Sequence, residues 1–193
     1  MRKVLLSIFL LIASSAMADE RGEARLERIS RHYSSLGGYG ISFVLRVGGA
    51  EQSGEILVAG NNSYMRVADT EVFVKDSIRH EVRRATKEIV VDRADAYEKE
   101  LINPLNGFSS VKSEYNIEEC EVEGKVAVRL TPKRSGDTIY IITGVDGESI
   151  SRVVYGAGES AAELQVTKTV RSAKSVPEFN KECYKGFELI DFR

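Results

Sequence analysis

The sequence predicts a mainly β chain of the α+β class, built as one large curved antiparallel sheet with a few helices on one side. Three observations carry that prediction. One amphipathic helix precedes a long series of short strand-like segments, the segments alternate apolar and polar residues, and the turns between them are spelled out by Gly, Asn and Asp.

The elements follow in order. Leu26, Ile29, Tyr33 and Leu36 recur at three- and four-residue steps with Glu23, Arg25, Glu27, Arg28 and Arg31 between them, which is one apolar helix face. Gly37-Gly38 stops that helix. Ile41, Phe43, Leu45 and Val47 then alternate with Ser42, Val44 and Arg46. Segments 54–59 and 63–68 flank Gly60-Asn61-Asn62, residues that tolerate positive φ. Segments 71–75, 79–83 and 87–91 continue the strands. Asp92 or Asp95 caps a short helix through Tyr97, Leu101 and Ile102 that ends before Pro104. Leu105-Asn106-Gly107-Phe108 reads as a loop. Strands resume at 114–121, 125–131, 138–143, 149–155 and 161–168, with turns at Glu123-Gly124, Ser135-Gly136-Asp137 and Asp146-Gly147. A polar stretch, 172–185, leads to a last strand at 187–192.

The chain begins with a pattern of its own. Arg2 and Lys3 precede the apolar run 4–12, which leads to Ala16-Met17-Ala18. A charged start, a short hydrophobic middle and an A-x-A site are the marks of a secretory signal peptide over residues 1–18, cleaved after Ala18. The run is shorter than the roughly 20 residues that span a bilayer. The expected product is a single domain, 19–193, in a bacterial periplasm. Loss of Arg2 and Lys3 takes Lys+Arg from 27 to 25 against 29 acids, a net charge of −4. An acidic domain with no basic stripe gives no reason to expect nucleic acid. Its length suits one core rather than two.

In an oxidising compartment Cys120 and Cys183 either form a possible disulfide or stand as separate thiols. A bridge would close a loop of about 60 residues, for which chain entropy gives roughly 4 kcal/mol. Neither lies in a CxxC.

Catalytic chemistry is hard to find. The two histidines, His32 and His80, have no motif around them, and HExxH, GxSxG and P-loop patterns are absent from the sequence. Glu118-Glu119-Cys120-Glu121 alternates along a strand and lacks EF-hand spacing. The expectation is therefore no catalytic residues, no metal and no cofactor. The run 79–87, with Arg79, Arg83, Arg84 and Lys87, is a local basic feature: a solvated hairpin, or else a site for an acidic partner or a lipid headgroup. The sequence contains no Trp to fill a wide interior, so a curved sheet crossed by few helices either packs solidly or leaves an apolar cavity.

Several segments together resemble the LolA-type periplasmic carriers of outer-membrane lipoproteins. They are the first helix ending near Gly37, Gly54-Glu55-Ile56-Leu57-Val58, Ser63-Tyr64-Met65-Arg66, the lid-like Leu101-Ile102-Asn103-Pro104-Leu105, and Leu130-Thr131-Pro132-Lys133. The ending Glu188-Leu189-Ile190-Asp191-Phe192-Arg193 is similar to that of Bacteroidetes-like members. The resemblance implies an unclosed antiparallel β-barrel, a half-barrel, covered by a few helices around an apolar cavity that takes lipoprotein acyl chains. It also implies loading by an inner-membrane ABC transporter and delivery to an outer-membrane acceptor. Two departures stand out: Gly60-Asn61 occupies the place of a lid-latching Arg-Pro, and Asp76-Ser77 replaces an Asp-Gly turn.

The function expected is that of a non-enzymatic monomeric carrier. Candidates for the cavity wall and lid are Phe43, Leu45, Val58, Met65, Phe73, Leu105, Phe108, Ile141 and Val154, each of which is otherwise an ordinary core residue. Strand phase decides which point inward, and a slip of one residue reverses a strand's set. The competing expectations are a half-barrel that binds another amphiphile or a protein partner without lipoprotein transfer and, more remotely, a hydrolase.

Overall fold

A computed structural model describes residues 20–104, 107–171 and 175–193. The signal-peptide residues and Leu105 lie outside the described residues. Residues 20–36 form helix α1, whose Leu26, Ile29 and Tyr33 are fully buried. It ends where predicted, at Gly37 with φ 70°.

The strands are β1 (Gly38–Val47), β2 (Ala50–Ala59), β3 (Asn62–Val67), β4 (Thr70–Lys75), β5 (Ile78–Arg83) and β6 (Glu88–Arg93). Helices α2 (Ala96–Ile102) and α3 (Ser109–Glu114) follow. Then come β7 (Tyr115–Val122), β8 (Lys125–Pro132), β9 (Ile139–Thr143), β10 (Ile150–Tyr155), β11 (Ala162–Arg171) and β12 (Glu188–Asp191).

All twelve strands join one sheet in the order β12-β6-β5-β4-β3-β2-β1-β11-β10-β9-β8-β7. Two meanders, β1–β6 and β7–β11, meet where β1 pairs antiparallel with β11. The sheet does not close, so the fold is the unclosed, mainly β architecture expected. The last strand departs from the antiparallel rule: β12 pairs parallel with β6 and forms one edge, while β7 forms the other.

Three local readings change. β2 begins at Ala50 rather than Gly54, because Gly48 and Gly49, with φ 56° and 80°, close a two-residue turn that matches the twist of paired strands. The stretch after Phe108 is helical before β7 begins. The polar stretch before β12 is a strap that packs Val176, Phe179, Tyr184 and Phe187 on the sheet.

The sheet therefore has two covered faces. On the inner face, α1 and α3 set Leu26, Ile29, Tyr33 and Val111 against Tyr39, Ile41, Phe43, Ile117, Leu130 and Ile141. On the outer face, the strap covers Tyr64, Phe73, Val82, Ile89 and Val91. Phe43 fits because its partner across the ladder is Gly54, where a Cβ would stand 2.3 Å from the ring. Among the described residues no helix is long and apolar enough to cross a membrane.

Candidate functional site

The space under α1 is filled; the space under α2 is not. Helix α2 leaves β6 with Asp95 at its N-cap position, whose carbonyl accepts from Lys99 N at 3.0 Å. The Asp95 side chain makes no capping bond. The helix ends at Asn103, before Pro104, as residues preceding proline do.

Four hydrogen bonds hang this helix and its end on the body. Asn103 Nδ2 donates to Gly60 O at 2.9 Å, Ser30 Oγ to Pro104 O at 2.7 Å, Lys99 Nζ to Ser77 Oγ at 2.9 Å, and Tyr39 OH to Ile102 O at 3.3 Å. Gly60, which stands in place of the resembled family's latching arginine, thus serves as an acceptor for the helix end. Asp76 and Ser77, in place of Asp-Gly, both adopt positive φ (51° and 78°) and so keep the tight turn that Lys99 reaches.

Glu100 ties α2 to α3. Its buried carboxylate accepts from Ser109 Oγ at 3.1 Å, Ser110 N at 3.0 Å and Val111 N at 2.9 Å. These are the unpaired amides at the start of α3, so a residue from the preceding helix caps the next one. Sequence reading missed this because the cap comes from nine positions upstream rather than from the residue before the helix.

Between α2 and the inner face of β3–β4 lie two adjoining cavities. One, of about 300 Å³, is mainly apolar, with Met65, Val72, Val74, Leu101 and Ile102 in its wall. The other, of about 350 Å³, is more polar, with Asn61, Ser77, Lys99 and Asn103 around it. Ser63, Val74 and Lys99 border both. At the mouth, Arg79 pairs with Glu81 and, at 3.1 Å, with Asp92. Glu98 stands close by, its carboxyl raised by burial and drawn partly back by Arg79.

The residues named from sequence divide accordingly. Phe43, Val58, Phe108 and Ile141 are buried in the packed core, and Leu45 packs at its border. Met65 lines the cavity. Two need correction. Phe73 is on the outer face, in ring contact with Tyr64 (5.0 Å) and Phe179 (5.9 Å), while its neighbours Val72 and Val74 face the cavity. Val154 also faces outward, since Val153 is the residue packed on the core. The disulfide alternative is not what the structure holds: both thiols are free, Cys120 on β7 at one sheet edge and Cys183 in the strap beside the other. Burial raises the Cys120 thiol pKa.

The basic run resolves as paired charge. Arg79, Arg83 and Arg84 reach Glu81, Glu88, Asp92 and Glu71, so a site for an acidic partner is not formed by these arginines. Glu71 is itself buried and accepts from Tyr64 OH (3.0 Å), Tyr184 OH (3.0 Å) and Arg84 Nη2 (2.7 Å). Burial first, and this carboxylate second, push both phenols up to about 12. His32 stacks edge-on against Tyr33, and His80 lies flat on Phe179 at 4.1 Å. Among the described residues no group of three or more His, Cys, Asp or Glu is placed to hold a metal.

No protein-family profile and no curated protein matches the chain. Solved structures do. An uncharacterized conserved protein from Thermus thermophilus is similar over 88% of this chain and 98% of its own, at 10% identity and a TM-score of 0.53, which establishes a shared fold. MucB of Pseudomonas aeruginosa, solved with MucA, is matched over 81% of this chain at 16% identity and a TM-score of 0.47; the chain spans 59% of it. A putative outer membrane lipoprotein-sorting protein domain from Vibrio parahaemolyticus is matched over 86% of this chain and 97% of its own, at 9% identity and a TM-score of 0.40.

Proposed function

We propose that the chain is a non-enzymatic periplasmic carrier, a divergent relative of the LolA type, that shields an acyl chain of a lipoprotein beneath α2. The observation that carries this reading is the apolar cavity of about 300 Å³ between α2 and β3–β4, roofed by a short helix held through a few hydrogen bonds. Its volume sits at the small end of ligand pockets. Burying one acyl chain at ~0.8 kcal/mol per methylene is worth on the order of 10 kcal/mol, enough to hold cargo without a polar anchor. Release then requires α2 to lift: its four tethers to the body cost about 1 kcal/mol each to break, and α3 moves with it unless the three bonds to Glu100 break as well. In this reading an inner-membrane ABC transporter supplies the cargo and an outer-membrane acceptor takes it.

One observation favours a second reading, a half-barrel that binds a protein partner and takes up no lipid: the inner face under α1 and α3 is packed solid. Native mass spectrometry of the exported chain, followed by lipid extraction, separates the two. The carrier brings an acylated species with it and loses it in Met65→Lys. A bare apo mass that takes up no acyl probe leaves the protein-binding module.

A further inference from the structure

The two cavities under α2 meet at a polar point inside an apolar wall. Ser63 lies on the inner face opposite Val74 in the β3–β4 ladder and borders both cavities. It is only 7% exposed, and its hydroxyl makes no hydrogen bond to the described residues. The hydroxyl is not one of the polar atoms that are both sealed off and unpartnered, so it opens on the cavity, where a ligand can reach it. Lys99, on α2, borders the same two cavities. Its ammonium donates to Ser77 Oγ at 2.9 Å and, among the described residues, has no carboxylate within ion-pair distance. Nearby Arg79, by contrast, is already held by Glu81 and Asp92.

The ammonium only donates and the hydroxyl can also donate, so a single acceptor placed between them can be held by both. On one side lies the apolar wall, suited to hydrocarbon; on the other lie Asn61 and Asn103 together with the carboxylates of Asp76 and Glu100, which favour a neutral ester or amide head over a free acid. Each cavity has room for one slender chain rather than several. We propose that Ser63 and Lys99 bind the carbonyl end of a single acyl chain, as carboxylate, ester or amide, whose hydrocarbon runs under α2 against Met65, Val72 and Ile102. This rests on the acyl-carrier reading and adds to it the chemistry of the head and the number of chains.

The test is displacement of the fluorescent reporter N-phenylnaphthylamine, which has no carbonyl, by decanoic acid, methyl decanoate, decanamide and decane. Each competitor is compared between the wild-type protein and the variants Ser63→Ala and Lys99→Gln, with circular dichroism confirming that the variants are folded. Ser63→Ala is expected to weaken the three carbonyl compounds by about fivefold and to leave decane unchanged. Lys99→Gln is expected to weaken decanoate about tenfold or more, and the ester and amide less, because the acid alone carries full charge. A loss for the ester and amide in Ser63→Ala supports the carbonyl anchor, and a loss confined to decanoate is a charge effect alone and overturns it. If Ser63→Ala shifts decane as much as the others, or neither variant shifts any compound, the polar anchor is wrong while the cavity stands. If the reporter itself does not bind, the acyl-carrier reading falls with it.

Discussion

Single positions set much of this sheet. Gly54 is small because the Phe43 ring lies where its side chain would be, and Arg66 O stands 2.7 Å from the same point. Gly54→Ala therefore costs about 1–3 kcal/mol, read as a lowered urea midpoint at unchanged slope. Ala68 is the converse case, with φ 46° in the β3–β4 turn. Ala68→Gly relieves left-handed strain and raises stability by up to about 1 kcal/mol in the same measurement. Residue-scale phase is also where sequence reading of the site went astray. Glu71 to Val74 are all buried because the strap covers one face of β4 and α2 the other, so Val72, Phe73 and Val74 show no alternation to read. On β10 a register irregularity between Ile150 and Arg152 shifts the phase, so Val153 rather than Val154 turns inward. On β1, where Ser42 is exposed, alternation sets Phe43 and Leu45 on the inner face, in or against the packed core rather than at the cavity.

At the scale of elements, strand positions were legible because the hairpin turns, apart from 84–87 between β5 and β6, carry a Gly, Asn or Asp, and the turn precedes any tertiary contact. Helix α3 was not legible, since Glu100 supplies its cap from α2. Glu100→Ala is expected to cost about 1–2 kcal/mol and, more tellingly, to raise hydrogen exchange across 109–114 well beyond the rest of the sheet. The strap offers a pH handle. His80 lies against Phe179, and its pKa is lowered first by burial and then by Arg193, with Asp191 and Asp92 opposing. A lowered folded pKa means that the unfolded chain binds the proton more readily. Stability is then complete above the ordinary histidine value near 6.5 and falls as the pH drops below it. His80→Gln is expected to flatten that part of the profile in thermal melts between about pH 7 and 5. At the alkaline end, the phenols of Tyr64 and Tyr184 hold their protons to about 12 in the folded chain. Their contribution is whole below about pH 10 and disappears between about 10 and 12.

The molecule as a whole is held together by packing on two faces and by no cross-link among the described residues. With Cys120 and Cys183 free, a reducing agent is expected to leave the thermal midpoint unchanged; a drop of several degrees would mean that the cysteines pair after all. The pairing of β1 with β11 carries a further consequence, one of timing. Thr167 bonds to Ser42 across 125 positions of chain, and Tyr184 reaches Glu71 across 113. The meander β1–β6 assembles from near neighbours, but its inner seam and outer edge both wait for segments made last. Such distant pairings are slow to find, because the loop must close before the contact rewards it. Until residue 171 is available, β1 offers an unpaired edge and α1 has half a sheet to rest on. A nascent chain of this protein therefore spends its early life as an unfinished surface, dependent on whatever holds it until its own end arrives.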